Sequence, residues 1–189
     1  MTVTRQALAA VRALLVLTLL LGLAYPLAVT AAARALPGRA DGSLVTSQGR
    51  VVGSSLIGQQ FTGAQWFQPR PSAFDYAGGT SGGTNYAQAN PDQRALVAKR
   101  AATLRAQNPD AKGPVPADAL TASASGLDPD ISPSYASWQV PRVAAARALP
   151  RATVEALVRA NTSSAGYLGQ PRVNVLKLNL ALQRAVAQR

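Results

Sequence analysis

Residues 13–33 run for 21 positions without a charge, mostly Leu, Val and Ala, with Arg5 and Arg12 before them and Arg34 and Arg39 after. Nothing else in the chain limits its fold so strongly. At about 1.5 Å per residue, a helix of that length reaches roughly 30 Å, the hydrocarbon thickness of a bilayer. The stretch is expected to be one transmembrane helix, residues 13–33, between a short amino-terminal segment 1–12 and a larger domain 34–189. Pro26 removes one backbone donor, which membrane helices tolerate, and a bend is expected between Gly22 and Pro26. Ala31-Ala32-Ala33 would also suit a signal peptidase. Secretory apolar regions run to about 7–15 residues, however, so the length favours a retained anchor. Arginines flank both ends almost equally, and charge does not set the orientation.

Composition closes other routes. The chain has no Cys and no His, which excludes structural zinc sites, thiol nucleophiles, the usual haem and iron–sulfur ligation, and serine–histidine catalysis. From residue 34 onward lie all 8 acidic residues and 17 of the 19 basic ones, a net charge of +9. Such a balance raises nucleic acid, anionic lipid and acidic substrates as partners. Against nucleic acid stand the scattered arginines, the 5% aromatic content and the lack of helix-turn-helix or zinc-finger spacing. No nucleic-acid partner is expected.

Punctuation gives the coarse structure. Val51, Val52, Leu56 and Ile57 point to a strand over 50–57, and the Gly-, Ser-, Thr- and Asn-rich stretch 68–89 to a loop. Asn90-Pro91-Asp92-Gln93 reads as N-cap, N1 proline and a Gln at N3, opening a helix to about Gln107 with Val97, Ala101 and Leu104 on one stripe. Ser132-Pro133 repeats the signal and opens a helix carrying Tyr135 and Trp138, expected to break at Pro141 and resume over 142–149. Another short helix follows Pro150, with Val154, Leu157 and Val158 on its inner side. Residues 161–171 are expected to be loop. From Arg172 the pattern fits strand or helix, and an extended start near Val173 with a helix capped by Asn174 is chosen. The fold class is thus a single amino-terminal transmembrane helix plus a mixed α/β (α+β) domain.

Candidate chemistry is sparse. Thr80-Ser81-Gly82-Gly83-Thr84-Asn85 is the most distinctive polar run: consecutive glycines let amides converge on an anion, and the hydroxyls of Ser81 and Thr84 add donors. Its bland alternative is a flexible turn, and no P-loop or dinucleotide fingerprint accompanies it. Asp128-Pro129-Asp130 supplies too few oxygens for a calcium site and reads as a turn leading into the Ser132 helix. No metal site is expected. The small-residue run 121–126 permits close packing. A Ser–Lys hydrolase would need Lys99, Lys112 or Lys177 as base, and no spacing places one beside a serine. Trp66, Phe67 and Trp138 read as core or interface anchors.

Several motifs taken in order are more specific than any of these alone. They are Gly53-Ser54-Ser55-Leu56-Ile57-Gly58-Gln59, Trp66-Phe67-Gln68-Pro69-Arg70-Pro71-Ser72-Ala73, Ser81-Gly82-Gly83-Thr84-Asn85, Asn90-Pro91, and Val115-Pro116-Ala117-Asp118. The series continues through Thr121-Ala122-Ser123-Ala124-Ser125-Gly126-Leu127-Asp128-Pro129, Ile131-Ser132-Pro133, Gln139-Val140-Pro141-Arg142-Val143-Ala144 and Val173-Asn174-Val175. Behind an amino-terminal span, this series resembles the C-subunit (KdpC) family of Kdp-type potassium-transporting ATPases over nearly the whole chain.

The resemblance implies an accessory, non-catalytic subunit of a plasma-membrane complex for ATP-driven potassium import. Its partners would be a channel-like pore subunit, a P-type ATPase subunit and a small single-span subunit. It also implies a cytoplasmic amino terminus, an extracytoplasmic domain, and a catalytic-chaperone role that raises the ATP affinity of the ATPase subunit, with Ser81, Gly82, Gly83, Thr84 and Asn85 contacting nucleotide. The last two implications pull apart, because ATP is scarce outside the cell. The chain lacks the Asp-Lys-Thr-Gly phosphorylation motif of the motor and any filter loop of a pore. The family often has Ser where Thr84 stands, and Asp130 after Pro129 is a local departure. Within that resemblance, a bracing role beside the pore entrance, with Asp, Ser and Asn rather than Arg facing the ion path, is the expected mechanism. The other class left open is a membrane-anchored binding module or Ser–Lys-type hydrolase unrelated to transport.

Overall fold

A computed structural model describes residues 2–38, 40–164, 166 and 169–187. It divides into two compact units, residues 1–44 and 45–189.

The first unit is a long apolar helix. It runs as α1 (Val3–Leu19), a π turn at Leu20–Ala24, and α2 (Tyr25–Arg34), and none of its residues is buried. An apolar surface of that length without a buried residue suits a non-aqueous environment. The expected irregularity around Pro26 takes the form of a change in hydrogen-bond register: the Tyr25 N–H donates to Leu20 O, five residues back. Pro26 then sits in the first turn of α2, where a missing N–H costs least. Thr30 Oγ1 donates to Pro26 O at 2.8 Å, satisfying a carbonyl nearby.

The second unit opens in a hairpin, β1 (Leu44–Ser47), whose first residue is the last of the first unit, and β2 (Arg50–Ser54). Gln48 and Gly49 make its two-residue turn with φ of 49° and 74°, the signs a type I′ turn demands. β2 stops short of the expected residue 57. No regular element occurs over 55–90, in keeping with the loop read from composition.

Next come α3 (Pro91–Gln107), the single turn α4 (Ala117–Leu120), β3 (Asp130–Ile131), α5 (Pro133–Arg147), α6 (Arg151–Ala160), β4 (Thr162–Ser163), β5 (Arg172–Asn174) and α7 (Val175–Ala187). Both anticipated N-caps form. Asn90 Oδ1 accepts from the N–H groups of Asp92 and Gln93, and Ser132 Oγ from that of Tyr135. Asn174 Oδ1 likewise accepts from Lys177 N–H at 3.1 Å, so the extended start and capped helix at the tail are both present.

Two further expectations fail. Helix α5 continues through Pro141 instead of breaking there. A mid-helix proline costs about 3 kcal/mol, but Val140, Arg142 and Val143 beside it are all buried, and that packing outweighs the lost bond. Residues 161–171 are also not wholly loop. Thr162 and Ser163 form β4, an antiparallel partner of β5 in a three-stranded sheet ordered β3-β5-β4, with Ile131 and Thr162 both opposite Val173. Strands this short carry no readable periodicity. Ala165, Tyr167 and Leu168 of the expected loop lie outside the described residues.

Helices α5, α6 and α7 pack together over the inner face of β5. Tyr135, Ala136, Val140 and Val143 meet Val154 and Val158, then Val173, Leu178 and Leu182, with Phe67 inserted from the long loop. Phe67 has no exposed surface. Burying it contributes about 2–3 kcal/mol and fixes the loop to the core.

Candidate functional site

The loop of residues 55–90 is held by side chains that imitate a strand partner. Asn179 of α7 accepts from Phe67 N–H through Oδ1 and donates from Nδ2 to Phe67 O, both at 2.9 Å. Gln139 of α5 does the same for Gln68, accepting at 2.7 Å and donating at 3.1 Å. Both amides are buried, where each unpaired backbone group would cost about 1–3 kcal/mol.

Arg142 completes the clamp. Its Nη1 donates to the carbonyls of Gly63, Ala64 and Trp66 at 3.3, 2.6 and 3.0 Å, while Nε reaches Asn108 Oδ1 and Nη2 reaches Gln139 Oε1. Burial lowers its pKa from the usual guanidinium range, and the nearby Tyr135 opposes that shift. Among the described residues no carboxylate pairs with it, and its hydrogen bonds go to neutral oxygens. Arg147, one turn on, donates to Gln65 O and stacks 4.1 Å above the Trp66 ring. Sequence reading assigned no role to Arg142, Gln139, Asn108 or Asn179. The available signal was their polarity among apolar neighbours, as in Leu176-Lys177-Leu178-Asn179-Leu180, but nothing local said what they would meet.

The run Ser81–Asn85 lies against the small-residue run 121–126. The Gly82 N–H donates to Ser125 O at 2.9 Å, and Ser81 Oγ donates to the same oxygen at 3.1 Å. Backbones meet so closely that a Cβ on Gly126 would stand 2.8 Å from Gly82 O, and one on Gly83 would stand 3.2 Å from Ala124 O. Close approach of two chain segments therefore accounts for the glycines, and the Gly82 amide already has an acceptor. Gly83, Thr84 and Asn85 make no hydrogen bond among the described residues. Ser81 and Asn85 are exposed, and Asn85 has φ 53°.

Beside this seam, a cleft of about 550 Å³ is lined by Asp118, Asp128, Asp130, Ser132, Arg70 and Arg172 among others. Each carboxylate has a structural partner. Asp128 pairs with Arg70 at 3.0 Å and Asp130 with Arg172 at 3.1 Å. Asp118 accepts from the Ser132 N–H and hydroxyl at 2.8 and 2.9 Å. Asn174 Nδ2 donates to both Asp130 Oδ1 and Ser55 O, joining β5 to the chain leaving the hairpin. The Tyr76 hydroxyl donates to Arg70 O at 2.7 Å. Burial raises the Tyr76 pKa, reinforced by Asp128 and opposed by Arg70. Among the described residues, no group of three or more acidic side chains gathers as a metal would require.

Catalytic geometry does not emerge here. Ser123 and Ser125 share a hydroxyl contact of 3.1 Å, Ser125 Oγ also accepts from Leu127 N–H, and no lysine is bonded to either. Lys99, Lys112 and Lys177 are all exposed. Phe67 and Trp138 are buried, as expected of anchors, with Arg105 5.4 Å over the Trp138 ring; Trp66 is half-buried under Arg147.

The family model described as "KdpC: K+-transporting ATPase, c chain" matches residues 7–184. The chain is 52% identical over 174 residues to the potassium-transporting ATPase KdpC subunit of Beijerinckia indica subsp. indica, covering 89% of this chain and 88% of the relative. Identity to the corresponding subunit of Variovorax paradoxus is 52% over 179 residues, covering 92% and 93% of the two chains. For that of Kineococcus radiotolerans it is 51% over 185 residues, covering 96% and 94%.

Proposed function

This chain belongs to the KdpC family, subunits of the K+-transporting ATPase that are not themselves its catalytic subunit, and from that premise we propose how it serves the complex. Residues 13–33 span the membrane with the amino terminus in the cytoplasm, and residues 34–189 form the extracytoplasmic domain. The span packs beside the channel-like pore subunit, and the domain braces the pore entrance. The P-type ATPase subunit and the small single-span subunit complete the assembly.

One observation carries this reading. A 32-residue apolar helix with no buried residue is joined to a domain whose buried Asn179 and Arg142 side chains serve its own backbone. A greasy helix without an internal partner is suited to lipid and to other membrane helices. The +9 charge of the domain does not forbid a place beside a cation path, because exposed charges are screened over about 8 Å at physiological salt. Asp118, Asp128 and Asp130 with Ser132 and Asn174 offer oxygens for that path, in a cleft where Arg70 and Arg172 also stand, paired with Asp128 and Asp130.

By the same family reading, the subunit raises the ATP affinity of the ATPase subunit. Direct nucleotide contact through Ser81, Gly82, Gly83, Thr84 and Asn85 would have to rely on Gly83, Thr84 and Asn85, since the Gly82 amide is occupied. The seam against residues 121–126 instead favours a structural role for this run. Protease added outside spheroplasts is expected to digest residues 34–189. Protection from outside would overturn the topology and restore the nucleotide role. Co-purification with the pore subunit in detergent is expected to survive substitution of any single serine or lysine, whereas an anchored hydrolase would lose its activity.

A further inference from the structure

Beyond the apolar helix, exposed apolar side chains are not spread evenly. Among the described residues after Arg34, the exposed large hydrophobics are Leu36, Leu44, Val51, Leu56 and Ile57, all within one short stretch, and then Phe74 and Tyr86 in the whole remainder. Leu56 and Ile57 belong to the motif Gly53–Gln59, which the brace does not use. Single exposed apolar residues are ordinary, but a concentration of them marks a surface that something covers.

The hairpin accounts for the core of that stretch. Val52 of β2 is half-buried, so Val51 beside it points the other way, and it is 60% exposed. An antiparallel ribbon with one face on its own domain ordinarily carries polar residues on the other, and here the outward position is valine. Leu56, 63% exposed, and Ile57 follow directly, before Gly58 is drawn into the domain by its N–H donating to Leu127 O at 2.8 Å. Charge in this part of the chain is sparse and mostly of one sign: residues 34–60 hold Arg34, Arg39 and Arg50 against Asp41. Arg50 is exposed beside the turn and makes no ion pair among the described residues.

Covalent connection points to the occupant. Ten residues lead from Arg34, the last of the apolar helix, to Leu44, the first of the hairpin. Fully extended they reach at most about 36 Å, and the Ser43 N–H donating to Gly38 O at 2.8 Å takes up part of that length. The hairpin is thereby leashed to the point where the span leaves the bilayer. Resting on the reading of residues 13–33 as a span, we propose that the hairpin and the turn after it lie in the headgroup layer of the same bilayer. Val51, Leu56 and Ile57 reach the acyl boundary, and Arg50 pairs with the phosphate of an anionic lipid. Apolar side chains beside an exposed cation are the pattern that holds such a surface, with affinity growing with the apolar area buried and with each cation. A second point of attachment limits the swing of the domain about its linker.

Because the chain has no cysteine, a single nitroxide can measure depth. The full chain is reconstituted in nanodiscs of mixed phosphatidylcholine and phosphatidylglycerol, labelled at Val51→Cys or, for reference, at the exposed Ala146→Cys of α5. The label at position 51 is expected to be reached by dissolved oxygen and sheltered from a water-soluble nickel chelate, and the label at 146 to be open to the chelate. Leu56→Ser combined with Ile57→Ser should lower the ratio of docked to undocked hairpin about tenfold. Arg50→Gln should lower it about fivefold, an effect lost in discs of phosphatidylcholine alone. Melting temperatures should not change, since all three side chains are exposed. A chain that does not enter the discs overturns the span and this proposal with it, whereas a chain that enters them with the label at 51 open to the chelate overturns this proposal alone. Shelter that survives the double serine variant overturns it too. So does shelter found in the complete complex but not in lipid alone, which would make the stretch an interface with another subunit.

Discussion

Helices α3 and α5 start alike and end in opposite surroundings. Each opens on a polar cap followed by proline, Asn90-Pro91 and Ser132-Pro133, and each cap closes as a hydrogen bond. Yet α5 buries Tyr135, Trp138, Gln139, Val140, Arg142 and Val143, while α3, the longer of the two at 17 residues, buries none. Its stripe of Val97, Ala101 and Leu104 is only half-buried. What fastens α3 is polar: Arg100 reaches Leu120 O, and Arg105 reaches the carbonyls of Ala111 and Gly113. Caps decide where a helix begins, but burial decides how much of the domain depends on it.

The largest effect is expected where α5 clamps the long loop. Arg142→Ala leaves the carbonyls of Ala64 and Trp66 and the Asn108 side-chain oxygen without their donor, and should cost about 3–5 kcal/mol in chemical denaturation of the full chain in detergent. A loss below about 1 kcal/mol would show that water replaces the guanidinium and that the clamp is ornamental. Asn179→Ala removes both bonds to Phe67 and is expected to cost about 2–3 kcal/mol, with greater protease sensitivity of residues 55–90.

Alkaline pH probes the same half of the comparison. Tyr76 and Tyr135 both have pKa values raised above the ordinary 10.0 in the folded chain, chiefly by burial. Above pH 10 the unfolded chain therefore holds fewer protons than the folded one, and stability must fall as pH rises. The contribution is full below pH 10 and declines by at most about 1.4 kcal/mol per pH unit for Tyr135, less for the partly exposed Tyr76. Melting curves from pH 9 to 11 should show the decline, and Phe at both positions should flatten it.

Helix α3 should yield smaller numbers. Asn90→Ala is expected to cost about 1 kcal/mol and to speed amide exchange in the first turn of α3, leaving exchange in α5 unchanged. If α5 amides respond equally, the two helices unfold as one unit and the contrast between them fails. At the lower end, Arg172→Gln removes an ion pair whose arginine side chain is 52% exposed, and should shift stability by less than about 0.5 kcal/mol.

Much of the architecture was legible in the chain because the signals were local. A 21-residue run without charge needs no tertiary context to read as a membrane span, and Asn90, Ser132 and Asn174 act as caps through bonds reaching no more than three residues. The misreadings share one cause. Pro141 was expected to break α5 because local cost was the visible term, and Thr162-Ser163 was expected to be loop because two residues carry no period. In both places a distant partner decided the outcome: the core around Val143, and Val173 across the sheet.

The Ser81–Asn85 run shows the same limit from the functional side. Its composition could serve an anion or a close contact between backbones, and only the position of residues 121–126 shows that the Gly82 amide is spent on Ser125. Asn179 was quieter still, a polar residue outside every motif, and Arg142 stood in a motif that said nothing of its role.

By itself the sequence determined the uncovered apolar helix, the helix starts, and the lack of Cys and His that removes whole classes of chemistry, since each follows from residue type and short-range spacing. Tertiary structure alone decided which helix becomes the core and which buried polar atoms replace a missing strand partner. Those outcomes depend on groups far apart in the chain, whose meeting no local pattern encodes.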